Sequence, residues 1–246
     1  MLHTIEPEQV HYGEELILED SNTLDYFNKF IRGFIHKHNN HLTISLGYSS
    51  LITGSTREIK TLQQAQRISE CAEKAVELNN EANSCLIPTS PNLETFDLLE
   101  FIATKSAQIQ EPLQQRNITL LQSIQPPQVK VHADKEWLNR IIDEILKNAI
   151  EASTPESSEL HFDVVHVPFD HLGDTSRIEI VISDDGEGIN EEDLKSVFEP
   201  FFSKKGHEHL GIGLNNAGIL TYKLGGKLGI ASSPKGTTVI ISLPAE

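Results

Sequence analysis

The sequence is poor in cysteine, in tryptophan and in long hydrophobic runs. Its 246 residues include one tryptophan and two cysteines, Cys71 and Cys85, neither in a CxxC motif. Two cysteines cannot make a disulfide framework, so we expect a reducing compartment. No apolar run approaches the roughly 20 residues that cross a bilayer, and the acidic start MLHTIEPEQVHYGEELILED does not resemble a signal peptide. The sequence therefore predicts a cytoplasmic protein without membrane insertion.

Positive charge is also scarce. The chain has 20 lysines and arginines against 36 aspartates and glutamates, which gives a formal net charge of −16. A surface that binds the phosphates of a nucleic acid must be basic, so we expect no nucleic-acid partner. A small anionic ligand needs only a local site and stays compatible with this charge.

The first half of the chain has the spacing of helices. Between positions 20 and 52, the apolar residues that recur at helical spacing are Leu24, Phe27, Ile31, Phe34, Ile35, Leu42 and Leu46. The sequence TGST at 53–56 interrupts the pattern, and Ser55 with Glu58 matches a capping box that opens a second helix ending before Pro88. Two such helices form an antiparallel hairpin with an exposed apolar seam. We expect a second copy to cover this seam in a dimeric four-helix bundle.

The pattern changes after the linker PTSPN at 88–92. It predicts helices at about 95–115, 135–152 and 212–224, and strands at 118–123, 128–132, 160–167, 177–183, 227–232 and 236–243. Long helices against one face of a mixed sheet make an α/β sandwich. We therefore predict an α+β fold with an N-terminal segment at 1–19, a helical hairpin at 20–87 and an α/β sandwich domain at 94–246.

Two glycine-rich stretches contain candidate binding residues. VISDDGEGI at 181–189 ends a predicted strand on Asp184, and Gly186 and Gly188 permit a close approach of the backbone to a flat ligand. HLGIGLNNAG places Gly211 and Gly213 before a predicted helix, whose first N–H groups favour phosphate. The spacing is not that of the dinucleotide fingerprint, and the Walker lysine motif is missing. Taken alone, DxGxG is also compatible with a plain Asp-Gly turn.

A polar pair occurs on the predicted helix EILKNAIEAS. Glu144 and Asn148 are four residues apart, and this spacing puts them on one helix face. Carboxylate and amide oxygens suit a Mg²⁺-phosphate site, because Mg²⁺ prefers oxygen ligands. Without support from other motifs, Asn148 would be an ordinary surface asparagine.

The order of these motifs resembles a known ATP-binding domain. ExxxN, DxGxG, FEPFFSKK at 198–205 and GxG follow each other as in the domain shared by gyrase, the heat-shock chaperone, MutL and the sensor histidine kinases. The resemblance covers about 94–244 and implies ATP and Mg²⁺ as ligands. It implies that Asp184 accepts the adenine amino group and that Asn148 holds Mg²⁺ with Glu144. The further nucleotide contacts that it implies are Lys147, Gly186, Gly188, Lys204, Gly211, Gly213 and Leu214.

Three of the 11 histidines occur in FIHKHNNHLTISLGYSSLI at 34–52. At about 100° per residue, His38 and His41 share a helix face while His36 points elsewhere, which disfavours one shared metal site. His38 suits the apolar seam of the bundle. HKHNNHLT, beginning at His36, resembles the phosphoacceptor box of two-component histidine kinases, on the first helix of a hairpin that precedes the ATP domain.

With this box the resemblance extends over about 24–244. It implies a homodimeric kinase that autophosphorylates on His36 and passes the phosphoryl group to an aspartate in the receiver domain of a response regulator. About 20 residues precede the hairpin, so we expect the input to come from a separate sensor protein or from a larger protein that contains this chain.

Two residues depart from the family pattern and keep alternatives open. Lys37 stands where the family has an acidic residue, and lysine cannot accept the imidazole proton, although it could hold a phosphoryl group. The chain is therefore also compatible with a phosphotransfer or phosphatase module with a regulatory ATP site, in which Asn40 orients a water. Glu144 stands where ATPase relatives have the water-activating glutamate, so an ATPase or ATP-gated interaction protein is a third reading.

Overall fold

The computed structural model describes residues 10–12, 20–54, 58–84, 91–125, 129–155, 159–168, 176–204 and 210–245. The chain divides into two compact units. The first, here called the sheet unit, comprises Met1–Ile17, Pro88–Phe198 and Gly213–Glu246. The second, the helical unit, comprises Leu18–Ile87 and Glu199–Ile212.

The helical unit contains the predicted hairpin. Helix α1 (Asp20–Gly54) packs against helix α2 (Glu58–Ser84) and runs without interruption through the buried His41. The predicted capping residue Ser55 lies outside the described residues, as do the side chains of the seam residues Leu24, Phe27, Ile31 and Leu46. Several apolar side chains of the hairpin are exposed to solvent: Ile35, Leu42, Ile44, Leu51 and Ile59.

The sheet unit is built on a mixed sheet. Within the described residues its seven strands are β1 (His11–Tyr12), β3 (Thr119–Leu121), β4 (Ile124–Gln125), β6 (Glu159–Val167), β7 (Arg177–Asp184), β8 (Lys227–Ser233) and β9 (Gly236–Pro244). Their order in the sheet is β1-β8-β9-β7-β6-β3, with β4 also paired to β6. The four central strands β6, β7, β9 and β8 are antiparallel neighbours, whereas β3 and β4 run parallel to β6.

A two-stranded sheet and four helices complete the sheet unit in the described part of the chain. Strands β2 (Glu94–Asp97) and β5 (Lys130–Ala133) pair antiparallel. The helices are α3 (Leu98–Gln115), α4 (Lys135–Glu151), α5 (Glu191–Leu194) and α6 (Gly213–Lys223). Alternate residues of β7 are buried, which is the period of a sheet with one covered face. Helix α4 contacts β7 and α6 and buries the face formed by Trp137, Leu138, Ile141, Ile142, Ile145, Leu146 and Ala149.

The α+β fold with its α/β sandwich is confirmed, with local differences in the elements. The predicted helix at 95–115 begins at Leu98, because residues 94–97 form β2 and Asp97 caps α3 by accepting from Leu99 N at 2.8 Å. The predicted strand at 118–123 contains β3 alone, and β1, β4 and α5 were not predicted. Every helix in the described ranges is too short or too polar to cross a bilayer.

Candidate functional site

Asp184 ends strand β7 with its carboxylate held by main-chain donors. Its Oδ1 accepts hydrogen bonds from Gly186 N at 2.9 Å and from Thr237 N at 3.3 Å. The side chain is half-buried. Since β7 and β9 are paired, with Asp184 opposite Thr237, the sheet itself orients this carboxylate.

Gly186 and Gly188 are crowded by neighbouring backbone. A Cβ on Gly186 would lie 2.5 Å from Ala152 O and 2.9 Å from Asp184 Oδ1. Gly188 has φ +68°, and a Cβ there would collide with Ser233 O. The DxGxG turn is therefore packed between the end of α4 and the β8–β9 turn, and glycine is required there by the fold. Contact of these glycines with a ligand stays a prediction.

Glu144 and Asn148 are half-buried on α4, with the exposed Lys147 beside them. A Cβ on Gly213 would collide with Glu144 Oε2, so this carboxylate lies against the first residue of α6. The N-terminus of a helix favours negative charge. The structure thus brings a residue predicted to hold Mg²⁺ next to a glycine predicted to bind phosphate.

The loop before α6 includes further predicted residues. Gly211 has φ +72°, its carbonyl accepts from Phe201 N at 2.9 Å, and a Cβ on it would collide with Phe202 O. Leu214 is half-buried on α6, and Lys204 is exposed. Lys205, named in the sequence motif, lies outside the described residues. Lys204 and Gly211 belong to the helical unit, whereas the other predicted nucleotide contacts belong to the sheet unit.

The three clustered histidines lie in different environments. His36 is exposed, and its Nδ1 is 3.5 Å from Asn40 Nδ2. His38 is half-buried and stacks on Phe34, with ring centroids 5.7 Å apart, whereas His41 is buried. Within the described residues, no group of three or more His, Cys, Asp or Glu side chains is placed to hold a metal ion.

Lys37 contacts the part of the chain that precedes α6. Its Nζ donates a hydrogen bond to Leu210 O at 3.2 Å. Leu210 and Ile212 are buried, and Phe34 packs against them. The position that the resemblance predicts to be acidic thus holds a lysine, whose ammonium group donates to a main-chain carbonyl.

Phe201 packs on α1 beside this contact. Its ring centroid is 5.3 Å from that of Phe30, and a Cβ on Gly33 would collide with the Phe201 ring. Phe201 has φ +68°, a left-handed conformation that costs a non-glycine residue about 1–2 kcal/mol. Packing on Gly33 helps to offset that cost. This contact was not predicted from the sequence, although Gly33, an isolated glycine in an otherwise helical pattern, was its signal.

The role of Thr237 in the site was also not predicted from the sequence. Besides its N–H bond to Asp184, its Oγ1 lies 2.8 Å from Ser232 Oγ, which accepts from Ile189 N at 2.8 Å. This network joins the DxGxG turn to the β8–β9 hairpin. A threonine after Gly236 has no sequence signal of its own, because its role depends on strand pairing.

Comparison with known protein families and relatives agrees with this geometry. The family model described as Histidine kinase-, DNA gyrase B-, and HSP90-like ATPase matches residues 133–246. The sensor histidine kinase ZraS of Klebsiella oxytoca is 26% identical over 185 residues, 75% of this chain and 37% of ZraS. The sensor histidine kinase YxdK of Bacillus subtilis is 31% identical over 118 residues, 46% of this chain and 34% of YxdK. The chain thus spans about a third of the length of these relatives.

Solved structures of histidine kinases share the fold. The mycobacterial sensor histidine kinase MprB has a TM-score of 0.52 and 26% identity, and the match covers 63% of this chain and 98% of that chain. Histidine kinase ThkA, solved in complex with the response regulator protein TrrA, has a TM-score of 0.70 and covers 92% of this chain and 64% of that one. At 19% identity, ThkA shows the likeness of fold alone. Residues 133–246 therefore match the family model of histidine kinase-, DNA gyrase B- and HSP90-like ATPases, and this part of the chain is similar to the ATP-binding core of sensor histidine kinases.

Proposed function

We propose that this chain is the signalling core of a histidine kinase, which transfers the γ-phosphoryl group of ATP to His36. The observation that carries the proposal is the exposed imidazole of His36 in a chain with a kinase-type ATP-binding core. A ring that attacks a phosphoryl group must be accessible to a bulky, charged substrate. His36 meets this requirement, whereas His41 is buried.

The nucleotide would bind through side chains of the sheet unit. The Asp184 carboxylate, oriented by Gly186 N and Thr237 N, accepts a hydrogen bond from the adenine amino group. Glu144 and Asn148 fit Mg²⁺, because both side chains offer oxygen atoms and the Glu144 carboxylate lies against Gly213, the first residue of α6. Bound Mg²⁺ would neutralise charge on the triphosphate.

The remaining predicted contacts would act on the phosphates and on the bound nucleotide. Main-chain N–H groups at Gly211 and Gly213 would bind phosphate oxygens, as helix N-termini favour anions. The exposed ammonium groups of Lys147 and Lys204 would add positive charge, and Leu214 would pack against the nucleotide. In such a site most of the catalysis comes from positioning and charge neutralisation.

The transfer itself needs a neutral imidazole nitrogen on His36. A bond forms between that nitrogen and the γ-phosphorus, while the bond from the γ-phosphorus to the bridging oxygen breaks and ADP leaves. An aspartate in the receiver domain of a response regulator would then take the phosphoryl group. The fold that this chain shares with ThkA, solved in complex with the response regulator TrrA, supports such a partner. The signal would come from a separate sensor protein or from another part of a larger protein that contains this chain.

Incubation of the full chain with γ-³²P-ATP and Mg²⁺ tests this proposal. We expect an acid-labile, alkali-stable label on the wild type that falls at least about 100-fold in His36→Gln, because the nucleophile is absent. His166→Gln, an exposed histidine of β6, is the matched control and should label like the wild type. Label retained in His36→Gln would overturn the proposal.

A phosphotransfer or phosphatase module is the second candidate. The observation in its favour is that Lys37 occupies the position after His36 and binds Leu210 O. If the chain is chiefly a kinase, Lys37→Glu should raise the labelling of His36, by up to about 100-fold for a well-placed carboxylate. Slower labelling, or slower transfer to and from a regulator, would favour the second candidate.

An ATPase is the third candidate, and it is favoured by the contact between Glu144 and Gly213. It predicts phosphate release from ATP without protein labelling, lost in Glu144→Gln by about 100-fold or more as a general base is removed. If Glu144→Gln still labels on His36 and phosphate release is unchanged, this candidate is eliminated.

A further inference from the structure

We propose that Ser232 determines the base selectivity of the nucleotide site, because it accepts the hydroxyl proton of Thr237 and so leaves only hydrogen-bond acceptors beside Asp184. The inference rests on the proposed function, since it concerns the base that the proposed site binds. It makes Ser232 a positioning residue, which acts through Thr237 and does not itself touch the nucleotide.

The hydroxyl group of Ser232 has three partners in the sheet unit. Its Oγ donates to Gly236 O at 3.1 Å, accepts from Ile189 N at 2.8 Å and lies 2.8 Å from Thr237 Oγ1. A serine hydroxyl has one proton and two lone pairs, whereas a carbonyl oxygen only accepts and a main-chain N–H only donates. All three contacts can therefore be hydrogen bonds at once only if Thr237 donates to Ser232.

Thr237 lies beside the carboxylate that is predicted to bind the base. It stands opposite Asp184 in the pairing of β7 with β9, so the two side chains are on the same face of the sheet, with Cβ atoms about 4.5–5.5 Å apart. Thr237 is 8% exposed, and a buried hydroxyl proton needs an acceptor. With that proton bonded to Ser232, Thr237 Oγ1 presents lone pairs alone toward its surroundings.

The two side chains together match an amino group and not a carbonyl oxygen. A carboxylate also only accepts, and Asp184 Oδ1 is oriented by Gly186 N and Thr237 N. The exocyclic amino group of adenine has N–H donors for both acceptors, whereas guanine has the acceptor O6 at the same position. Guanine would bring O6 against Asp184 and Thr237 without a proton between them, and unpaired polar groups are costly to bury. The site therefore favours adenine.

Strands β7 and β9 carry a second serine–threonine pair, which provides a matched control. Ser183 Oγ lies 2.8 Å from Thr238 Oγ1, one residue along each strand from Asp184 and Thr237. Since successive residues of a strand point to opposite faces, this pair is on the other face of the sheet. Removing the hydroxyl of Ser183 thus breaks a bond of the same kind and length without changing the acceptors beside Asp184.

Calorimetric titration of full-chain variants with ADP and with GDP, each with Mg²⁺, tests the proposal. The readout is the ratio of the two dissociation constants, because a general loosening of the DxGxG turn would weaken both nucleotides alike. We expect the wild type to prefer ADP by at least about 100-fold, since a hydrogen-bonding site rejects a ligand that leaves its polar groups unpaired. In Ser232→Ala the Thr237 hydroxyl can donate to guanine O6, so this ratio should fall by about tenfold, the effect of one hydrogen bond.

Two further variants separate the role of the hydroxyl from the packing of β8. Ser232→Thr keeps the hydroxyl group and should retain the wild-type ratio. Ser183→Ala should change the ratio by less than about twofold. An unchanged ratio in Ser232→Ala, or an equal fall in Ser232→Ala and Ser183→Ala, would overturn the proposal. A higher ratio in Ser232→Ala would contradict the direction of the hydrogen bond and overturn it as well.

Thr237→Val tests whether Ser232 acts through Thr237. The variant removes the hydroxyl and keeps the shape of the side chain, so guanine O6 meets one acceptor fewer and the ratio should fall. Adding Ser232→Ala to Thr237→Val should lower the ratio no further, because the two residues act as one unit. A further fall of about tenfold would overturn the proposal. If Ser232→Ala does not fold, a wild-type ratio in Thr237→Val alone overturns it.

The two proposals fail in different ways. A wild type that prefers ADP, with the ratio lowered in Ser232→Ala but no label on His36, overturns the kinase function and supports the role of Ser232. A wild type that takes label on His36 but binds ADP and GDP equally overturns the role of Ser232 alone. A wild type that binds neither nucleotide overturns both.

Discussion

At the scale of single residues, the proposed nucleotide site depends most on the side chain of Asp184. We expect Asp184→Asn to abolish detectable nucleotide binding, because the charge-assisted acceptor for the adenine amino group is lost. Such a bond is worth about 1.5–3 kcal/mol, or about 10- to 150-fold in Kd. Calorimetric titration with ADP measures it. Asp185→Asn is the control, since Asp185 accepts from Glu159 N at 3.2 Å. Unchanged affinity in Asp184→Asn would place the pocket elsewhere.

Glu179 lies in the sheet, and its burial raises the pKa of its carboxyl group. The positive charge of Arg177 lowers that pKa by a smaller amount. Glu179 lies on β7 opposite Val165 and Ser242. A raised pKa in the folded state means that the charged form is disfavoured there. The contribution of neutral Glu179 to the stability of the folded protein is therefore fully present below the unfolded-state pKa. It is lost as pH rises through the folded-state pKa.

We therefore expect Glu179→Gln to raise the melting temperature at pH 7. The difference in melting temperature between this variant and the wild type should shrink toward zero near pH 4, where the Glu179 carboxyl group becomes neutral like the glutamine. Thermal unfolding at a series of pH values measures the trend. The exposed Glu187→Gln should show no comparable trend, and a constant difference for Glu179→Gln at all pH values would contradict the prediction.

At the scale of elements, α1 has two glycines with opposite surroundings. A Cβ on Gly33 would collide with the Phe201 ring, whereas a Cβ on Gly47 would have no heavy atom within 4 Å. We expect Gly33→Ala to destabilise the helical unit by about 1–3 kcal/mol through overpacking. Gly47→Ala should stabilise it by about 0.5–1 kcal/mol, because alanine favours a helix interior. Denaturant unfolding of both variants tests the pair, and an equal effect at both positions would show that Phe201 does not pack there.

The sequence predicted the elements with strong periodicity and missed those without it. Helix α4, whose apolar residues repeat at helical spacing, was predicted to within one residue of its end. Strand β1 has two residues and α5 has four, too few to show any period. The motif residues Glu144 and Gly213 were found from local spacing. The Lys37–Leu210 and Asp184–Thr237 bonds were not, since they join residues far apart in the chain.

At the scale of the whole molecule, the exposed apolar side chains of the hairpin predict a dimer. Ile35 is 49% exposed, Leu42 44% and Ile59 74%. Burial of these side chains against a second copy would stabilise a dimer by about 25 cal/mol per Å² of apolar surface removed from water. We expect light scattering to find a dimer at micromolar concentration through residues of about 20–86. Leu42→Lys should raise the dimer dissociation constant by about tenfold or more, since burying a charge is costly.

Leu93→Lys is the matched control, because Leu93 is 46% exposed but belongs to the sheet unit. It should leave the dissociation constant unchanged. A monomeric wild type at micromolar concentration, or equal weakening by both lysines, would contradict a dimer formed by the hairpin.

Strand β1 also affects how fragments of the protein behave. The chain leaves the sheet unit after Ile17, forms the hairpin and returns at Pro88, so the hairpin is inserted between two parts of one unit. His11 and Tyr12 pair with the edge of β8, opposite Ile230 and Gly229. A fragment that starts at the hairpin would leave that edge of β8 uncovered, and an uncovered edge is a template on which another chain can add a strand. Shortened fragments of this protein would therefore be prone to associate through β8, by a route unrelated to signalling.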